Sequence, residues 1–121
     1  DVTGFGLLGH LIEMCEGSGL KADLTYADIP VIPESLTYLK EGCYADGALR
    51  NWKSYGAKVA GASGLERMML LSDPQTSGGL LIACSPSAVE RVSSLLGRCV
   101  VHIPRIGVVG SRNTPAIVTA M

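Results

Sequence analysis

The sequence predicts an α+β domain built as one mixed sheet with helices packed on it, and three observations predict it. The chain has 121 residues, which suits one domain that buries roughly two-thirds of its unfolded surface. Hydrophobic residues make up 47% and charged residues only 17%, which supplies a core and argues against disorder. Segments of helical and strand period alternate irregularly, with no internal repeat and no low-complexity tract.

Residues 6–16 place Leu7, Leu8, Leu11, Ile12, Met14 and Cys15 near the helical period, with His10 and Glu13 on the other side. They predict an amphipathic helix, stopped by Gly17, Ser18 and Gly19. Residues 20–26 alternate as a strand does, Pro30 and Pro33 break the chain, and a second helix is expected over about 34–40. The glycine-rich stretch 42–64, which holds the only tryptophan, reads as an irregular surface excursion with room for a short helix over Asp46–Tyr55. Leu65–Leu71 is expected as a short helix that ends before the Asp73-Pro74 break. Residues 79–84 are continuously apolar and predict a strand buried on both faces. Ser85 and Pro86 have the form of a helix start. That helix is expected to reach Leu96 with Ala88, Val89, Val92, Leu95 and Leu96 inward, and to stop at Gly97. Strands over 99–103 and 106–109 flank Pro104, and 116–120 reads as an edge strand or a frayed tail. Short connections put 79–84 and 99–103 on a shared sheet covered by the 6–16 and 87–96 helices.

Charge excludes several functions. Ten basic residues against eleven acidic ones leave a net charge of −1, which gives no electrostatic footprint for nucleic acid or an anionic membrane. No apolar run approaches the roughly 20 residues needed to span a bilayer, and no signal peptide is visible. The four cysteines, Cys15, Cys43, Cys84 and Cys99, form no C-x-x-C pair and have apolar neighbours. They are expected to be reduced and buried in the core of a cytoplasmic protein, not joined in a disulfide framework.

Two segments carry the candidate chemistry. Asp1 stands immediately before a Thr3-Gly4-Phe5-Gly6 turn, where a carboxylate can face a cleft. Magnesium takes one or two carboxylates plus phosphate oxygens and water, so Asp1 alone cannot make such a site. Gly4, Gly6 and Gly9 have the G-x-G-x-x-G spacing, without the preceding strand that a dinucleotide fingerprint requires. They read either as a tight turn with a close helix contact at Gly9, or as a helix entrance facing phosphate. His10 reads as a structural hydrogen-bonding residue, since no nucleophile or second ligand accompanies it in sequence; His102 sits in an apolar strand. The run Asp73-Pro74-Gln75-Thr76-Ser77-Gly78-Gly79 reads either as an anion-binding backbone nest or as an elaborate turn with Asp73 capping backbone donors.

Three pieces, DVTGFGLLGHLIEMCEGSG, SDPQTSGGLLIA and RIGVVG, together with GALRNWKSYG, resemble the carboxy-terminal domain of the selenophosphate synthetase family. That family lies in the aminoimidazole ribonucleotide synthetase superfamily. The resemblance spans essentially the whole chain. The DPQTSGG run discriminates best, because superfamily relatives such as thiamine-monophosphate kinase and the hydrogenase-maturation carbamoyl dehydratase lack it in this form.

The resemblance implies the α+β fold of that superfamily's C-terminal domain, with residues 1–121 one domain of a two-domain enzyme. It implies an N-terminal ATP-binding domain upstream and conversion of ATP, selenide and water to selenophosphate, AMP and orthophosphate. Asp1 is implied as a magnesium ligand, while most nucleotide and metal ligands belong to the other domain. So do the catalytic cysteine or selenocysteine and a nearby lysine. No catalytic residue is therefore expected within 1–121, and the chain alone is expected not to turn over. Beyond the resemblance, Thr3, Gly4 and Gly6 at the helix entrance and Gln75, Thr76 and Ser77 in the loop are expected to line the phosphate cleft. Expected partners are ATP, selenide, the N-terminal domain and a second copy in a homodimer, with no nucleic acid and no membrane. Two alternatives stay open: another ATP-dependent enzyme of the superfamily, and a non-enzymatic α+β module that binds an anion or a partner.

Overall fold

A computed structural model describes residues 1–99, 103–111 and 116–121. Helix α1 (Gly6–Ser18) follows from its apolar spacing, which buries Leu7, Leu8, Leu11, Ile12 and Cys15 along one stripe. It ends where Gly19 takes a left-handed φ of 69° and donates its N–H to the Cys15 and Glu16 carbonyls, the stop expected from sequence. The chain then enters β1 (Leu20–Leu24), whose Ala22 and Leu24 are buried.

One four-stranded mixed sheet results, with α1 packed on it, so the α+β class holds. Strand β1 pairs antiparallel with β3 (Gly107–Ser111), Leu20 opposite Ser111 and Leu24 opposite Gly107. On its other side β1 pairs parallel with β4 (Val118–Ala120), which in turn pairs parallel with the two-residue β2 (Val59–Ala60). The order is β2-β4-β1-β3. The core lies between α1 and this sheet. Leu8, Leu11, Ile12 and Cys15 meet Ala22, Leu24, Ile117, Val118 and Ala120, with Val2, Tyr55 and Leu71 closing the cluster. Each fully buried leucine or valine here is worth about 1.5–3 kcal/mol over leaving it exposed. A smaller cluster of Leu39, Ala48 and Met69 joins α2 (Pro33–Lys40), α3 (Asp46–Tyr55) and α4 (Leu65–Leu71).

Several expectations are corrected. Residues 79–84 form no strand: they are irregular, with Leu80 68% and Ile82 46% exposed. An apolar run expresses a demand for burial, but it does not choose a strand partner, and the described sheet is completed by β2, β4, β1 and β3 without this segment. The expected strand over 99–103 begins with Cys99 in a turn, and residues 100–102, His102 included, lie outside the described residues. The 87–96 helix exists as a 3-10 turn (Pro86–Ala88) followed by α5 (Val89–Leu96), but none of α5 is buried and Leu95 is 56% exposed. Ser85 gives it no side-chain cap; its hydroxyl pairs with that of Ser87 at 3.0 Å.

Residues 116–120 hold neither an edge strand nor a tail but the interior strand β4, where Val118 is fully buried. The middle excursion is more ordered than its composition suggests, since α3 buries Ala48 and Tyr55 and the chain beyond it supplies β2. Of the four free thiols only Cys15 is buried; Cys43, Cys84 and Cys99 are exposed. Short apolar neighbourhoods do not decide which side a thiol faces. Burial pushes the Cys15 thiol pKa up, which makes it inert. Among the described residues no helix is long and apolar enough to cross a membrane.

Candidate functional site

The fold brings the two singled-out segments into direct contact. Val2 is buried at 5% exposure, while its neighbours Asp1 and Thr3 are both exposed. The Val2 N–H donates to the Gly79 carbonyl at 2.9 Å, and the Gln75 N–H donates to the Thr3 carbonyl at 3.1 Å. The Thr3 carbonyl also accepts from the Gly6 N–H at 3.0 Å, closing the turn that starts α1.

The glycines sit where one segment touches the other. Gly6 has φ 71°, and a Cβ there would lie 2.7 Å from the Ser72 carbonyl carbon and 3.0 Å from the Asp73 oxygen. Both the left-handed backbone and the close approach require glycine. At Gly78 a Cβ would lie 2.6 Å from the Val2 oxygen and 2.5 Å from Gln75 Oε1. Gly9 makes the close helix contact expected of it, against the Tyr55 ring.

Helix α3 clamps the junction. Asn51 Nδ2 donates to the Gly4 carbonyl at 2.8 Å and to the Ser72 carbonyl at 2.9 Å, so one amide group spans both segments. One turn on, the Tyr55 hydroxyl donates to the Phe5 carbonyl at 2.7 Å. Burial is the main cause that pushes the Tyr55 pKa up. The Ser72 hydroxyl, itself fully buried, reaches hydrogen-bond geometry with no partner among the described residues. Sequence reasoning did not assign Asn51 or Tyr55. The available signal was their four-residue spacing on an amphipathic helix, which places both on one face.

His10 does serve as a hydrogen-bonding residue. Its Nε2 lies 3.0 Å from Thr3 Oγ1 and its Nδ1 lies 3.2 Å from Glu13 Oε2. The Phe5 ring packs edge-on against it, centroids 5.8 Å apart. The Thr3 partner was invisible in sequence because the turn at residues 4–6 folds Thr3 back over the helix.

Of the remaining candidates, Gly4 is exposed, whereas Gly6 is buried beneath Ser72 and Asp73. Gln75 is half-buried, and Thr76 and Ser77 are exposed. Burial raises the Asp73 carboxyl above its usual range. The α1 N-terminus has no side-chain cap and no acidic residue in its first turn, a setting that favours negative charge nearby. Among the described residues no group of three or more His, Cys, Asp or Glu could hold a metal ion. What is exposed is the Asp1 carboxylate and the Thr3, Thr76 and Ser77 hydroxyls, with an uncapped helix start behind them. That set can form one arm of a cation–anion site but not the whole of one.

The chain matches the family model described as AIR synthase related protein, C-terminal domain, over residues 1–119. It is 50% identical over 113 residues to the selenide, water dikinase of Dechloromonas aromatica (strain RCB), covering 91% of this chain and 32% of that protein. Against the selenide, water dikinase of Pseudomonas putida the identity is 46% over 117 residues, covering 97% of this chain and 34% of that protein. The corresponding protein of Photorhabdus laumondii is 50% identical over 99 residues, covering 82% and 28%. The chain thus spans about a third of the length of the curated relatives it matches.

Proposed function

The chain belongs to the AIR synthase related protein C-terminal domain family, and from that premise we propose that it is the C-terminal domain of a selenide, water dikinase. The observation that carries the reading is the near-50% identity to proteins of that name across nearly the whole chain. The interlocking of the DVTGFG and DPQTSGG segments on one surface supports it.

In the intact enzyme this domain forms one wall of a cleft whose other wall is an N-terminal ATP-binding domain. The substrates are ATP, selenide and water. Phosphoryl transfer is catalysed mainly by positioning and charge neutralisation, so the wall contributes ligands and shape. Asp1 fits magnesium as a single hard-oxygen arm, with the remaining ligands supplied by phosphate, water and the other domain. Magnesium, when bound, neutralises phosphate charge. Gly4, Thr76 and Ser77 are exposed near this wall, and the uncapped start of α1 favours an anion there. The nucleophilic cysteine or selenocysteine belongs to the N-terminal domain, so residues 1–121 alone do not turn over. The enzyme works in the cytoplasm as a homodimer.

Asp1→Asn in the intact enzyme tests the reading. It keeps shape and removes charge, so the melting temperature should stay near normal while activity falls about a hundredfold, roughly 3 kcal/mol of transition-state stabilisation. Raised magnesium should restore part of the loss. An active variant with unchanged magnesium dependence would reduce Asp1 to a turn residue. An intact wild-type enzyme that makes no selenophosphate from ATP and selenide would remove the reading itself.

A further inference from the structure

Glu13, His10 and Thr3 form a hydrogen-bonded chain at the rim where the two segments meet, with contacts of 3.2 Å and 3.0 Å. For a neutral imidazole beside an ionised carboxylate, chemistry fixes its direction. An ionised carboxylate only accepts, so the imidazole proton facing Glu13 sits on Nδ1. A neutral ring with its proton on Nδ1 carries a lone pair on Nε2, and the Thr3 hydroxyl must donate to it. Thr3 has one hydroxyl proton, and this bond takes it. What Oγ1 presents to its surroundings is lone pairs alone.

The ring is also held sterically: the His10 side chain is 18% exposed and bears the edge of Phe5. Thr3 itself is exposed, as is Asp1 two residues before it. A phosphate oxygen seeks donors, and a hydroxyl already donating has none to give. A hard cation or the water bound to it seeks oxygen lone pairs.

Resting on the function proposed above, we propose that Glu13 and His10 are positioning residues that fix the Thr3 hydroxyl as an outward acceptor for the hydrated magnesium beside Asp1. Thr3 then serves the cation and not, as its place in a phosphate cleft suggests, the phosphate. The arrangement has the logic of an outer carboxylate–histidine pair that orients a ligand and raises its basicity.

The test uses the intact enzyme and two readouts that do not depend on turnover. With ¹⁵N-labelled histidine, the ring-nitrogen shifts of His10 should report the proton on Nδ1 and none on Nε2. Glu13→Ala, at a side chain 63% exposed and therefore harmless to the fold, should return the ring toward the Nε2–H form. With manganese(II) as probe in the presence of ATP, Thr3→Val should weaken metal binding about tenfold, and Thr3→Ser should restore it. A wild-type His10 protonated on Nε2 would overturn the proposal. So would a folded Thr3→Val enzyme that binds manganese as wild type does. If Thr3→Val does not fold, Glu13→Ala decides: unchanged tautomer and unchanged manganese affinity overturn it. An enzyme that makes no selenophosphate refutes the proposed function, while the tautomer and the manganese affinity still decide the role of Thr3.

Discussion

Replacing Asn51 with Asp exchanges the Nδ2 group for an oxygen of nearly the same shape, directly against two carbonyl oxygens. The wild-type amide donates to Gly4 at 2.8 Å and to Ser72 at 2.9 Å. Its orientation is dictated by those two acceptors, since the flipped amide would set oxygen against oxygen. Asn51→Ala loses both bonds, at about 1 kcal/mol each, for a total of about 2 kcal/mol. Asn51→Asp loses both and adds repulsion between the carboxylate and the carbonyls, so about 3 kcal/mol is expected. Against a typical stability of roughly 5–15 kcal/mol that is a large fraction. The melting temperature should fall by roughly 10 °C for Asp and somewhat less for Ala. The carbonyls raise the folded-state pKa of the new carboxyl above its unfolded value. The charge-dependent part of the Asp penalty is therefore absent below the unfolded pKa and develops as pH rises through the raised one, while the protonated carboxyl, with one O–H, restores at most one of the two bonds. Urea unfolding at several pH values measures all of this. An Asn51→Asp protein within about 0.5 kcal/mol of wild type at neutral pH, or a gap to wild type that does not narrow on acidification, would refute the clamp.

Gly6→Ala forces a Cβ into the Ser72–Asp73 backbone at a left-handed φ, and should cost about 2–4 kcal/mol by urea unfolding; an unchanged midpoint would mean that the segments do not interlock there. Burial raises the Asp73 carboxyl, so wild type should lose stability as pH rises through that raised range. Asp73→Asn should lack this part of the slope, and parallel melting-temperature curves from acid to neutral pH would contradict it. With a thiol reagent, Cys43, Cys84 and Cys99 should react in the native protein and Cys15 only on unfolding, because only Cys15 is buried; native labelling of Cys15 would place it outside the core.

The sequence by itself determined the α+β class and the elements whose signals are local. Helix α1 announced itself by apolar spacing and its Gly19 stop, α2 followed the expected break at Pro33, which the structure makes its first residue, and α4 showed as an apolar run before the Asp73-Pro74 break. It also marked the two segments that meet at the candidate site, because runs as unusual as DVTGFG and DPQTSGG stand out without any structure. Only the tertiary structure decided where those signals led. Residues 79–84 and α5 carry strong apolar patterns, yet none of their residues is buried, while the short 118–120 segment takes the interior of the sheet. The bond from Thr3 to His10 and the reach of Asn51 across two segments likewise depend on turns that bring distant residues together. The physical reason is the same throughout. Periodicity and punctuation are set by neighbours along the chain, whereas a strand's edge, a helix's cover and a side chain's partner are set by whichever distant group arrives there first with the better fit.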